Sequence, residues 1–270
     1  MRIAILIRNY KRSAGGAERY CVELTERLSM NHEVHVFYQK KDEISQSITF
    51  HKISQYFEKP RFINQLLFSR LTKHATIGKF DIVHSHEPVT HADIYTIHVP
   101  CFKSKWVNIN GLRKTLRWLN TLLSPRKLFY LWLENQQMKP LPKRRFISVS
   151  EYLSRNITES YPSISNITIA HPGINHNTNK SNKNQTSYLS NLKEHLSIPN
   201  SAFVMLFVAN DFKKKGLPKI IESLEILKNK NIHLIIAGNG NTKKIKTPNS
   251  ISSNIHHLGV IKNIDLLYPQ

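Results

Sequence analysis

Residues Met1-Arg-Ile-Ala-Ile-Leu-Ile-Arg-Asn-Tyr-Lys-Arg-Ser-Ala-Gly-Gly-Ala-Glu18 join a short apolar run, a polar turn with paired glycines and the start of a helical pattern. An unbroken Ile/Leu run of this length reads as a strand buried on both faces, the habit of parallel sheets. It is too short for the apolar region of a signal peptide with its cleavage site. Outward from it the same alternation continues. Strands are expected at Ile3–Ile7, Val34–Tyr38, Asp81–His84, Ile94–His98, Phe146–Val149 and Ile167–Ala170, with amphipathic stretches at Ala17–Met30 and Phe62–Ile77. Strands and helices alternating at this spacing predict parallel βαβ units.

Residues 173–187 are almost wholly polar and rich in Asn, so they cannot pack a core and read as a linker or surface loop. The alternation then restarts, with a strand at Phe203–Ala209, a turn at Asn210–Gly216, a helix from Leu217 to about Asn229, a strand at His233–Ala237 followed by Gly238-Asn-Gly240, and a last strand at Ile255–Leu258. This divides the chain into a first Rossmann-like domain over residues 1–170, a linker over 171–200 and a partial second domain over 201–270. A doubly wound domain needs five or six strands, so the second is expected to be incomplete.

The 270 residues carry 39 Lys and Arg against 18 Asp and Glu, a formal net charge of +21, and are 40% hydrophobic. That composition supports a core and sets wholesale disorder aside. Cys21 and Cys101 are too few for a disulfide scaffold or a cysteine metal cluster, which predicts a reducing, cytoplasmic setting. Nowhere do about 18 apolar residues run together, so no conventional membrane span is expected.

Four constellations carry candidate chemistry. Gly15 and Gly16 follow a strand and precede a helix, where backbone amides can approach an anion or a sugar hydroxyl; an ordinary strand-to-helix turn fits equally. Asp81-Ile-Val-His-Ser-His-Glu-Pro88 would put His84 and His86 on one strand face, but no further ligands stand at metal spacing, so polar residues at the end of a parallel strand are favoured over a metal site. Asn210-Asp-Phe-Lys-Lys-Lys-Gly216 places cations between strand and helix, where they could neutralise a diphosphate or simply be solvated. From Lys103 to Arg145 there are eleven Lys and Arg against Glu134 alone, with all three Trp, at 106, 118 and 132. Leu112, Leu116, Leu119 and Leu123 recur there at helical spacing, the pattern of a helix on an anionic membrane surface or of an ordinary core-packed helix.

Taken in order, these motifs resemble the family 4 glycosyltransferases, most closely those of the lipopolysaccharide core glucosyltransferase type. Gly15-Gly-Ala-Glu-Arg19 is similar to the family's N-terminal glycine loop, residues 81–88 to its central strand, and Ile169-Ala-His-Pro-Gly-Ile-Asn175 to its interdomain segment. Val208–Gly216 and Leu234-Ile-Ile-Ala-Gly-Asn-Gly240 are similar to the opening of its nucleotide-binding domain. The resemblance implies an α/β fold of GT-B type, two facing Rossmann-like domains, the second incomplete. It implies retaining transfer of a hexose from a nucleotide-sugar donor such as UDP-glucose to a cell-envelope glycan or glycolipid such as the lipopolysaccharide core, with no metal and no further cofactor. Carried over, Gly15 and Gly16 lie against the donor's phosphate and sugar, His98 lines the reacting centre, and Lys214 and Lys215 stabilise the departing diphosphate, with Asn210 and Gly238 on the donor side.

Two departures accompany the resemblance. Relatives carry an Arg a few residues before the Lys, where this chain has Asn210. The family's Glu-x7-Glu segment, which would follow residue 270, is absent, so the chain reads as C-terminally truncated and is expected to be poorly active alone. Its place is expected to be peripheral, on the cytoplasmic face of the inner membrane, with anionic lipid as a partner and no nucleic acid. The alternatives are a non-catalytic membrane-binding remnant and, from the charge, a basic nucleic-acid-binding protein; no nucleic-acid-binding signature is visible.

Overall fold

The structure, a computed structural model, describes residues 1–42, 45–107, 109, 111–173, 191–242, 245–261 and 264–267. Two compact units divide it, Met1–Gly173 and Ile174–Gln270. Most of the polar segment 173–187 lies outside the described residues.

In the first unit the strands are β1 (Arg2–Leu6), β2 (Asn9–Tyr10), β3 (Glu33–Tyr38), β4 (Lys40–Lys41), β5 (Ile48–Lys52), β6 (Ile82–Ser85), β7 (Ile94–Ile97), β8 (Arg145–Ser148) and β9 (Ile167–Ile169). Its helices are α1 (Gly16–Leu28), α2 (Arg61–Thr76), α3 (Ser104–Val107), α4 (Leu112–Leu122), α5 (Pro125–Gln137) and α6 (Glu151–Ser160). Seven strands form one parallel sheet in the order β5-β3-β1-β6-β7-β8-β9. The period of two in β1 builds both faces of it. Ile3, Ile5 and Ile7 pack with Cys21 and Val22 of α1, whereas Ala4 and Leu6 pack with Phe68 of α2, Val83 and Tyr95. Both cysteines are buried free thiols.

The chain leaves β1 toward β3 on one side and reaches β6 on the other, so the strand order reverses between β1 and β6. A crevice outside the carboxyl ends of strands at such a reversal is where open α/β sheets place ligands. The strand edges differ from the sequence expectation by a residue or so. β6 extends to Ser85 and β7 stops at Ile97, so His86 and His98 both stand just past their strands, in the loops at the sheet's carboxyl edge.

In the second unit residues 191–195 are helical (α7), followed by β10 (Phe203–Val208), α8 (Leu217–Leu227), β11 (Ile232–Ala237) and β12 (Ile255–Gly259). The three strands form a parallel sheet in the order β10-β11-β12. Leu217, Ile221 and Leu224 of α8 pack on Leu234 and Ile236. Leu192, Leu196 and Ile198 pack with Ala202 and Ile235, so these residues of the 171–200 segment join the core of this unit. Their apolar spacing, overshadowed in the sequence by the polar stretch before them, gives the sheet its other cover.

Candidate functional site

In the first unit three loops leave the carboxyl ends of neighbouring strands. The glycine loop follows β1, residues 86–92 follow β6, and residues 98–103 follow β7. Arg8 and Glu87 tie the first two together: the Arg8 amide donates to Glu87 Oε1 at 3.2 Å, and the guanidinium pairs with Glu87 Oε2 at 3.0 Å. Ser85 Oγ donates to the Glu87 carbonyl and accepts from its amide, closing a tight turn that aims the carboxylate. Gln65 on α2 donates to the Pro88 carbonyl and fixes the far side of the same loop.

Gly16 begins α1, so the unpaired amides of that helix's first turn open at this loop. A Cβ built on Gly16 meets nothing within 4 Å, and one on Gly15 meets only the flexible end of Glu18. The glycines are therefore not required by packing inside the chain; they leave the backbone open at the start of α1.

Beside this opening three imidazoles stack. His84 and His86 lie 4.7 Å apart between ring centroids, and His86 and His98 lie 5.3 Å apart. His86 Nδ1 and His98 Nε2 share a hydrogen bond of 3.0 Å, and His84 Nε2 bonds Thr96 Oγ1 at 2.8 Å. Tyr20, four residues into α1, sets its ring against both His86 and His98, at 5.9 and 5.4 Å. Burial depresses all three imidazoles: His84 to about 4, helped by His98; His86 well below its ordinary value, helped by both neighbours; and His98 to about 4. They are neutral near pH 7, so His98 is a hydrogen-bonding group and not an acid. Among the described residues no group of three or more His, Cys, Asp or Glu is arranged to hold a metal ion.

Neither Tyr20 nor the Arg8–Glu87 pair stands out in the sequence. Tyr20 was recoverable: it lies four residues after Gly16 and so on the same helix face. The ion pair joins residues 79 apart and has no local signal.

In the second unit the lysine run occupies the loop between β10 and α8. Lys214 Nζ pairs with Asp211 Oδ2 at 2.9 Å, and its amide donates to Asp211 Oδ1. Lys215 is exposed and its amide donates to the Asp211 carbonyl; its side chain makes no ion pair among the described residues. The run therefore presents Lys215 directly, whereas Lys214 must first leave an exposed carboxylate. Such surface pairs are weak and readily exchanged.

Gly238, which the resemblance puts on the donor side, is required by packing. Its φ is +131°, and a Cβ there would lie 1.8 Å from the Ala209 carbonyl oxygen. Its amide donates to the Gly259 carbonyl at 2.7 Å. A Cβ on Gly240 would enter the Phe212 ring at 2.2 Å. Both glycines let the loop after β11 close on the loop that carries the lysines. Asn210 lies in that same loop, one residue past Ala209.

The basic stretch is also divided by the structure. Arg144 is buried, donating to the carbonyls of Thr90, Gln136, Gln137 and Lys139, so it adds nothing to the surface charge. Trp106 is buried as well, whereas Trp118 and Trp132 are exposed. Every residue of 111–120 is exposed, the leucines included, with Leu112 76% accessible, and Leu123 just beyond is 84% accessible. No described helix is long and apolar enough to cross a membrane.

Comparison with known proteins agrees with this fold. The fold is shared by WaaG, a glycosyltransferase involved in lipopolysaccharide biosynthesis, at 16% identity and a TM-score of 0.77, over 98% of this chain and 72% of that one. It is shared by Anabaena HepE, solved with UDP and glucose, at 15% identity and a TM-score of 0.65, over 99% of this chain and 71% of that one. The trehalose-6-phosphate synthase OtsA follows at 12% and 0.64, over 99% and 75%. No curated protein sequence matches the chain. The sequence matches the model of Glycosyltransferase Family 4 over residues 14–178 and that of Glycosyl transferases group 1 over 190–269. With more than half its length inside the first of these, and with parallel α/β units of GT-B type, the chain belongs to glycosyltransferase family 4.

Proposed function

We propose that this glycosyltransferase moves a hexose, with retention, from a nucleotide-sugar donor such as UDP-glucose to a cell-envelope glycan or glycolipid such as the lipopolysaccharide core. The observation that carries the reading is the open backbone at Gly15 and Gly16, set at a helix N-terminus beside the neutral His98. Solved structures with this fold hold UDP and glucose, or UDP-glucose, which supports the donor class.

In this reading the α1 amides and its dipole receive donor phosphate or sugar oxygens. His98, held by His86, exchanges a hydrogen bond with a sugar hydroxyl without charging. When the anomeric carbon–oxygen bond breaks, charge develops on the diphosphate. Lys215, and Lys214 once it exchanges Asp211 for phosphate, stabilise that charge chiefly in the transition state. These cations do the work a metal would do, so the reading needs none. Gly238 contributes by shaping the lysine loop, and Asn210 by its place beside it.

The acceptor and the membrane enter through α4. An eleven-residue helix whose leucines face solvent is marginal by itself in water. Its Leu face and the flanking Arg113, Lys114 and Arg117 match an anionic bilayer, which supports a peripheral position at the cytoplasmic face of the inner membrane. Membership of the family favours an enzyme over the basic nucleic-acid-binding alternative.

The test is transfer from a panel of UDP- and GDP-hexoses to lipopolysaccharide core acceptors, with the product anomer read by NMR. Donor turnover with a retained anomer supports the reading. Inversion, or transfer only to acceptors outside the cell envelope, sinks it.

A further inference from the structure

Two side-chain hydrogen bonds cross from the β6 line to the β7 line, His84 Nε2 to Thr96 Oγ1 at 2.8 Å and His86 Nδ1 to His98 Nε2 at 3.0 Å, each joining residues 12 apart. Alternate residues of a strand share a face, so 84 and 86 line up against 96 and 98. The second pair stands at the carboxyl edge, just past both strands.

His86 is held firmly for a loop residue. Its amide donates to the Leu6 carbonyl of β1 at 3.0 Å, and the Ser85–Glu87 turn closes around it. Its ring stacks on His84 and on His98, with Tyr20 tilted against it. Backbone and packing therefore set the position of His86 Nδ1 before any ligand arrives.

The hydrogen of the bond to His98 has a definite owner. A neutral imidazole carries one N–H, and burial keeps both rings neutral near pH 7, so one ring donates and the other accepts. His86 Nε2 is buried without a hydrogen-bond partner. With its hydrogen there, His86 would bury an unpaired N–H, the kind of orphan that folded chains tolerate least. With the hydrogen on Nδ1, the ring's single N–H is satisfied. His98 Nε2 then accepts, and the hydrogen of His98 lies on its own Nδ1. That nitrogen makes no hydrogen bond among the described residues and, unlike His86 Nε2, is not sealed from solvent.

A hydrogen fixed on Nδ1 decides what His98 can do. The ring gives a hydrogen bond from Nδ1 and has no lone pair left to take one, because Nε2 is occupied by His86. It suits an oxygen lone pair and cannot serve as a base.

We propose that His86 is a positioning residue: by donating from Nδ1 it holds His98 in the Nδ1–H form, so that His98 offers a preset hydrogen-bond donor to an oxygen of the nucleotide sugar. The substrate half of this rests on the hexose transfer proposed above, whereas the form of His98 is a property of the free chain. A ring held by packing alone would exchange its hydrogen between the two nitrogens.

The test uses the full chain labelled with 15N at histidine, whose two-bond proton–nitrogen NMR correlations distinguish the two neutral forms at pH 7 without ligand. His86 and His98 are both expected to carry hydrogen on Nδ1, and hydrogen on Nε2 of either ring overturns the assignment. His86→Phe keeps a stacked ring but removes the donor. It should release His98 toward the Nε2–H form and lower kcat/KM for UDP-glucose about ten-fold or more. His86→Asn, whose amide nitrogen takes the place of Nδ1, should return His98 to the Nδ1–H form and recover most of that loss. Lost turnover in His86→Phe with the form of His98 unchanged overturns the positioning role, and so does a changed form with full turnover. The wild-type spectrum decides the assignment even where His86→Phe does not fold. Both rings in the expected form, with no transfer from any nucleotide hexose by the wild-type chain, supports the assignment and overturns the hexose reading.

Discussion

Replacing Gly238 by Ala separates a packing glycine from a ligand-binding one. The added methyl would sit 1.8 Å from the Ala209 carbonyl oxygen, well inside contact distance, and the obstacle is backbone that cannot swing away. Relieving it requires shifting the loop after β10 or the one after β11, an overpacking cost of about 1–3 kcal/mol. The φ of +131° adds a further ~1–3 kcal/mol for a residue with a side chain. Against a total stability of roughly 5–15 kcal/mol for a whole domain, this is a large fraction for the smaller unit. Hydrogen exchange read by mass spectrometry is the suitable assay. A loss of about 3 kcal/mol speeds exchange through the shared opening by roughly 10²-fold in β10 and β11. All three tryptophans lie between residues 106 and 132, so their fluorescence reports the first unit and should not change. Unaltered exchange in β10 and β11, with activity lost, would refute the packing argument and return Gly238 to the donor site.

Gly16→Ala is the converse, since no atom lies within 4 Å of the new methyl. Thermal unfolding should be unchanged while the KM for the nucleotide sugar rises, and an unchanged KM would remove the loop from the site. Lys215→Ala should lower kcat roughly 10²- to 10³-fold, by analogy with loss of an oxyanion donor, while Lys213→Ala stays near wild type; equal losses in steady-state kinetics would reduce the run to a charged surface. Because burial holds His84, His91 and His98 near 4, the unfolded chain takes up protons that the folded chain refuses as pH falls from about 6.5 toward 4. Stability is therefore present above that window and lost below it, by up to about 3 kcal/mol per ring. Denaturant unfolding at pH 7 and pH 4.5 checks the sign, and imidazole NMR signals that titrate near 6.5 in the folded chain would contradict it. Leu116→Ser with Leu119→Ser should leave the melting temperature unchanged, since both are exposed, yet weaken sedimentation with anionic vesicles.

The parts of the fold that the sequence made legible are those in which one residue type repeats with one period. Ile3, Ile5 and Ile7 against Ala4 and Leu6 declare a strand buried on both faces, and the paired glycines then place the turn. α2 was legible as a helix but not in its packing. Its buried side carries Asn64, Gln65, Ser69, Thr72 and Thr76 beside Phe68, because the amides of Gln39 and Asn64 satisfy each other at 2.8 and 3.0 Å. A pattern that counts apolar residues cannot see a polar face made dry by a partner 25 residues away. β5 was missed for a related reason: it is an edge strand in which only Ile48 is fully buried, so its hydrophobic period is blurred.

The site divides along a similar line. Glycines and lysines announce themselves by type, but what each does depends on what stands within 4 Å of it, which type does not encode. Gly16 and Gly238 both follow a strand and both look like ligand glycines. One faces open space and the other faces a carbonyl oxygen, so packing leaves the first free of constraint while the second keeps two loops together. The lysines divide in the same way, Lys214 spending its charge on Asp211 while Lys215 keeps its own. The histidines show the reverse case. Their spacing puts His84 and His86 on one strand face, as polar residues at a strand end, and stacking at 4.7 and 5.3 Å with a shared hydrogen bond between His86 and His98 makes the three rings a close-packed wall. A wall of that kind can exchange hydrogen bonds at the carboxyl edge of β6 and β7 while staying neutral, because burial penalises charging each ring, with repulsion from neighbouring rings adding to it at His84 and His86.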